Sequence, residues 1–111
     1  MESGRIVNIV ATECQADQEA AFNKWYDEVH VPMLLKFQGM TAVTRYKLAG
    51  GSEGQARYLA IYEFQDQSAF KAYEASPELA AARAEISQTW KVKGFDTKWR
   101  AQYQPLRTWT K

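Results

Sequence analysis

Residues 22–48 read FNKWYDEVHVPMLLKFQGMTAVTRYKL and carry the chain from a helix into a strand. Phe22, Tyr26, Val29 and Met33 recur at helical spacing and mark a buried face, while Lys24, Asp27 and Glu28 fall on the opposite side. Trp25 and His30 flank the buried stripe, one on each edge. Pro32 has no backbone N–H to donate, so the helix must kink or restart near residues 30–32. Gly39 is the expected stop, and residues 41–48 then alternate loosely as a strand.

Residues 5–11 (RIVNIVA) are short, β-branched and nearly all apolar, which predicts a strand buried on both faces. Asn8 is its one internal polar residue, either hydrogen-bonded within the sheet or aimed into a pocket. Asp17 is the expected N-cap of the helix that follows. Beyond residue 48, AGGSEGQ (49–55) reads as a flexible hairpin loop, and RYLAIYEF (57–64) as a third strand with both faces largely apolar. Asp66 caps a second helix carrying Phe70 and Tyr73. Ser76-Pro77-Glu78 reads as a fresh helix start, with Ser as N-cap and Pro at the first helical position. The Ala-rich stretch to Trp90 has strong helix propensity, and Gly94 ends the helical region. Residues 98–103 form a fourth strand, which resumes after Pro105 through Trp109 as an edge or bulged strand.

Strand, helix, strand, strand, helix, strand is the ferredoxin-like βαββαβ order: a four-stranded antiparallel α+β sheet with helices on one face. A chain of 111 residues is the size of one domain, expected to span 1–111. The 14 basic and 13 acidic residues leave a formal net charge of +1, too balanced for a protein that grips phosphate backbones, so no nucleic acid is expected. The first residues lack the layout of a signal peptide, no apolar run is long enough for a bilayer, and the cytoplasm is the expected location. Cys14 is the only cysteine and His30 the only histidine, so neither an internal disulfide nor a protein-only zinc site is expected. Two helices cover one face of such a sheet. The other face is apolar here, which predicts a homodimer packed sheet to sheet.

His30 has the only side chain whose ordinary pKa lies between pH 5 and 8. It sits where Pro32 disturbs the helix, with Tyr26 one turn back. Either it satisfies the kinked backbone or it transfers protons; in the second case Tyr26 holds it or a substrate oxygen. Arg45 and Tyr46 stabilise developing negative charge if they face the cavity. Asn8, Phe22, Trp25, Tyr62 and Trp90 complete the candidate lining, the large aromatics being core or pocket wall. Which way Asn8, Tyr46 and Tyr62 point depends on strand register, which spacing alone leaves open.

The stretch 22–48, with its Phe, then Trp-Tyr, then His-x-Pro, then Gly and an Arg-Tyr strand, resembles the dimeric α+β-barrel superfamily, especially its EthD-like branch. EFQDQSAFKAYEASPELAAARAE (63–85) is similar to its second-helix region, and the resemblance covers roughly residues 5–105. It implies a protomer that dimerises through its sheets, with a pocket between sheet and helices. Related members include methylmuconolactone isomerase, polyketide and olivetolic acid cyclases and cofactor-free quinone-forming monooxygenases. Gln38 stands where a Pro commonly precedes the Gly, a change to a turn. Haem-degrading members carry a His in the second-helix region that this chain lacks, which disfavours haem.

The reading inclines to an enzyme of isomerase, cyclase or lyase type. It would need no cofactor and no metal, and would act by proton transfer on a small, mostly apolar oxygenated metabolite. The alternatives are a non-catalytic protein that binds a hydrophobic metabolite and a cofactor-free monooxygenase.

Overall fold

The computed structural model describes residues 4–51, 53–90 and 94–111. Strand β1 (Ile6–Cys14) leads through a short 3-10 turn (Ala16–Gln18) into helix α1 (Glu19–Trp25). A wide π-type turn (Tyr26–His30) connects α1 to α2 (Val31–Leu35). Strands β2 (Met40–Lys47) and β3 (Tyr58–Phe64), helices α3 (Gln67–Glu74) and α4 (Pro77–Thr89), and strand β4 (Phe95–Tyr103) follow. The sheet order is β2-β3-β1-β4, every pair antiparallel, which is the expected split βαβ arrangement.

Several boundaries differ from expectation, each for a local reason. Strand β1 runs three residues past Ala11 because Thr12, Glu13 and Cys14 pair with β4 across a register shift. That leaves only Gln15 before the 3-10 turn, so Asp17 lies inside the turn and caps nothing. The Asp66 and Ser76 caps form as expected, their side chains accepting from the backbone N–H of Ala69 and Leu79. Strand β4 begins at Phe95 and does not resume after Pro105; residues 104–111 have no regular structure. Helix α4 ends at Thr89, before Gly94. Met1–Ser3, Ser52 of the hairpin loop and residues 91–93 before Gly94 lie outside the described residues.

Pairing register settles the two faces of the sheet. Ile6, Asn8, Val10, Thr12, Tyr58, Ala60, Tyr62 and Phe64 are buried on the helix-covered face. The other face carries the cross-strand row Tyr46, Leu59, Ala11 and Trp99, then Thr44, Ile61, Ile9 and Ala101. That open face is apolar, and Tyr46, Trp99 and Tyr103 are 51%, 43% and 57% exposed on it. The terminal segment adds Leu106 and Trp109, 94% and 75% exposed.

The helices seat on the sheet through a close contact at Gly39. A Cβ there would stand 2.7 Å from the Ala69 Cβ and 2.9 Å from the Phe37 ring. Ala69 sits on α3 and the Phe37 ring packs against the core, so Gly39→Ala must push α3 outward. It is expected to destabilise the fold by about 1–3 kcal/mol in urea unfolding. An unchanged midpoint would show that this contact is slack.

Candidate functional site

The turn that joins α1 to α2 builds the site. The N–H of Val31 bonds to the carbonyl of Tyr26, five residues back, because Pro32 cannot take part in a regular ladder. In an undistorted helix Trp25 and His30 would stand about 140° apart around the axis. Here the extra residue brings them together: their rings stack with centroids 4.8 Å apart and planes at 23°. The expectation that they flank opposite edges is thereby corrected. Tyr26 meets the same imidazole edge-on at 4.9 Å. The indole Nε1–H of Trp25 donates to Glu85 Oε1 on α4 (2.9 Å), so α4 holds the indole on which His30 lies.

These groups form one wall of a cavity of about 140 Å³ between sheet and helices. Asn8, Trp25, Tyr26, His30 and Tyr62, all singled out from sequence, line it together. The Tyr26 and Tyr62 hydroxyls bond to each other at 2.5 Å; either oxygen can be the acceptor. Tyr26 therefore pairs with Tyr62 and not with His30. Asn8 Oδ1 accepts from Gln102 Nε2 at 2.8 Å, which fixes the Asn8 amide against β4.

Four expected site residues lie elsewhere. Phe22 is fully buried behind the lining, in ring contact with Trp25, Tyr26 and Tyr58. Trp90 packs edge-on against Trp25 at 5.6 Å from the same hidden side. Arg45 lies under the Tyr26 ring, 4.3 Å from its centroid, and donates to Asp27 Oδ1 (2.7 Å) and Asn23 Oδ1 (2.9 Å). It touches the cavity only through Tyr26. Tyr46 points to the open face, where with Leu59 and Trp99 it borders a hollow of about 260 Å³. Consecutive side chains of a strand alternate, so Arg45 and Tyr46 could not both face the cavity.

Residues not anticipated complete the lining, chiefly Tyr73 on α3, Arg83 and Ile86 on α4, and Thr97, Arg100 and Gln102 on β4. A signal for the last two existed. Alternation across residues 98–103 puts Lys98, Arg100 and Gln102 on one face and Trp99, Ala101 and Tyr103 on the other. A polar triplet on the inner side of an edge strand points to a wet pocket; in the structure Lys98 is displaced by the bulge and the other two remain.

Burial governs the titrations. The His30 imidazole is pushed down to about 4, first by desolvation, against an opposing pull from Glu85 and with help from Arg45 and Arg100. It is therefore neutral at pH 7, and its Nδ1 is buried without a hydrogen-bond partner. Burial raises Tyr26 and Tyr62, and pushes Tyr73 up to about 12. All three phenols are thus neutral donors. Among the described residues no group of His, Cys, Asp and Glu side chains is arranged to hold a metal. No helix among them is long and apolar enough to cross a membrane.

Solved structures share this architecture. An ethyl tert-butyl ether D (EthD) family protein from Bacillus halodurans superposes with a TM-score of 0.66 at 16% identity, over 91% of this chain and 99% of that one. SnoaB of Streptomyces nogalater, a cofactor-independent oxygenase, gives 0.64 at 12% identity, over 96% and 97%. A dimeric ferredoxin-like protein of unknown function from Thermobifida fusca gives 0.61 at 14% identity, over 95% and 94%. The fold is the ferredoxin-like one, shared with these proteins, the EthD family protein included. No curated protein sequence matches the chain. The family described as a domain of unknown function (DUF4286) matches residues 5–101, and the chain belongs to that family.

Proposed function

We propose that this chain is a cofactor-independent enzyme, one domain acting as a homodimer, that moves a proton on a small, mostly apolar oxygenated metabolite. The substrate would be cyclic, aromatic or polyketide-like, and the outcome isomerisation, cyclisation or elimination. The observation that carries this reading is the neutral His30 imidazole, which lines the cavity together with the hydrogen-bonded Tyr26 and Tyr62. At neutral pH the imidazole is ready to accept a proton from a C–H or O–H acidified by a neighbouring carbonyl. With a pKa about 4, its conjugate acid returns that proton readily, which suits delivery to a second position on the same molecule. Of the two hydroxyl protons in the Tyr26–Tyr62 pair, one is used between the oxygens. The other is left for a substrate oxygen on which negative charge develops. Arg45 acts through Tyr26 as a positioning residue.

A cofactor-free monooxygenase is the second reading, favoured by the cofactor-independent oxygenase that shares the fold. It begins with the same deprotonation, after which the substrate carbanion reacts with oxygen. Oxygen uptake matched to consumption of a hydroxyaromatic compound would distinguish it. A cytoplasmic location fits the lone, buried Cys14, which has no disulfide partner.

The dimer is supported by the apolar open face and by the dimeric protein of the same fold. Light scattering at micromolar concentration should give twice the chain mass, and Ile61→Lys, placed mid-face, should give a folded monomer. A single-chain mass for the unaltered protein would sink the dimer. For the chemistry, His30→Gln should cut turnover of hydroxyaromatic or polyketone substrates about 10²–10⁴-fold. Undiminished turnover would remove His30 from the mechanism. Unchanged ligand binding, with no turnover by either protein, would instead mean a binding role.

The depressed imidazole also shapes stability. Unfolded chains take up the His30 proton near the ordinary 6.5, whereas the folded protein resists it down to about 4. Stability is therefore full above pH 6.5 and falls with pH through that window. Between pH 7 and about 4.5 the native protein should lose roughly 2–3 kcal/mol more than His30→Gln does, measured by urea unfolding. Equal losses would show that the imidazole is not buried neutral.

A further inference from the structure

We infer that the cavity takes an anionic ligand, a carboxylate carried on a single ring, with Arg83 and Arg100 as its counter-charges. The inference rests on reading the cavity as a small-molecule site. Arg83 lines it from α4 and Arg100 from the inner side of β4, so the two arginines stand on different walls, both also open to solvent. Three of the other four arginines are ion-paired, and the fourth, Arg107, lies over the Trp109 ring in the terminal segment. Arg45 pairs with Asp27, Arg57 with Glu13 and Glu19, and Arg5 with Glu63. Among the described residues the side chains of Arg83 and Arg100 have neither an ion pair nor a hydrogen bond.

Their charge is felt inside. Arg100 opposes protonation of His30 and eases ionisation of Tyr26 and Tyr73; Arg83 acts on Tyr73 as well. Glu74 is the one carboxylate on the lining, against two arginines and a neutral imidazole, so the cavity is cationic when empty. A carboxylate suits the guanidinium fork, which can donate two parallel hydrogen bonds to it. The volume of about 140 Å³ admits one ring, which Trp25, Phe95 and Leu34 would flank.

Salicylate and its uncharged analogue salicylamide test the inference as probes, with binding followed by calorimetry and by the Trp25 indole N–H shift. The unaltered protein should bind salicylate at least about tenfold more tightly than salicylamide. That preference should shrink in high salt. Arg83→Gln/Arg100→Gln should weaken salicylate about tenfold and leave salicylamide unchanged, its fold checked by circular dichroism. Glu74→Gln should tighten salicylate about two- to threefold by removing a like charge. Equal affinity for the two probes, or a preference that survives the double substitution, would overturn the anionic assignment and leave the cavity a small-molecule site. Binding of neither probe at millimolar concentration would overturn both readings.

Discussion

A missing amide hydrogen at Pro32 sets the geometry of the functional half of this fold. Without it the helix cannot continue in register, and the strain is relieved one turn earlier, where Val31 bonds five residues back to Tyr26. The widened turn rotates His30 onto the face of Trp25 and above Tyr26. Trp25 is in turn tied to Glu85 on α4, so the helix on the far side of the cavity fixes the ring that supports the imidazole. A local backbone irregularity thus couples three elements and places the single histidine at a cavity wall.

Much of this was legible from the chain. Element order, the Asp66 and Ser76 caps and the disturbance at Pro32 follow from residue chemistry that acts within a few positions. What was not legible depends on pairing between distant strands. The length of β1 is decided by β4, more than eighty residues away in sequence, and with it the fate of Asp17 as a cap. Phe22 and Trp90 illustrate a second limit. Helical spacing shows that an aromatic faces inward, yet core and cavity wall are both inward, and only packing against Trp25 tells them apart. Arg45 and Tyr46 illustrate a third, because a strand assigned without a register leaves the choice of face undecided.

The sheet separates two kinds of work. Its covered side holds paired polar groups, among them Asn8 with Gln102 and Tyr26 with Tyr62, beside His30 and Arg100, which are unpaired among the described residues. Its open side has apolar rows that no helix among the described residues covers. Strand β2 contributes to both, since Arg45 steadies Tyr26 from within while Tyr46 stands on the outer surface. A substitution that changes strand register would therefore disturb both faces together, whereas an outward-facing change such as one at Ile61 leaves the cavity intact.

The charges around the cavity make sense as a set. An imidazolium in the empty cavity is opposed by lost hydration and by Arg45 and Arg100, and Glu85 compensates only in part. An anionic ligand of the kind inferred would supply what is missing: it would offset the arginines and offer the imidazolium a counter-ion in a region of low dielectric. By reciprocity, whatever an anion does to raise the affinity of His30 for a proton, the proton does for the affinity of the cavity for the anion. In the proposed reaction the base is weak while the site is empty and strengthens as substrate charge develops beside it. Differential stabilisation of that kind accelerates a reaction, because it grows toward the transition state instead of merely tightening the ground state.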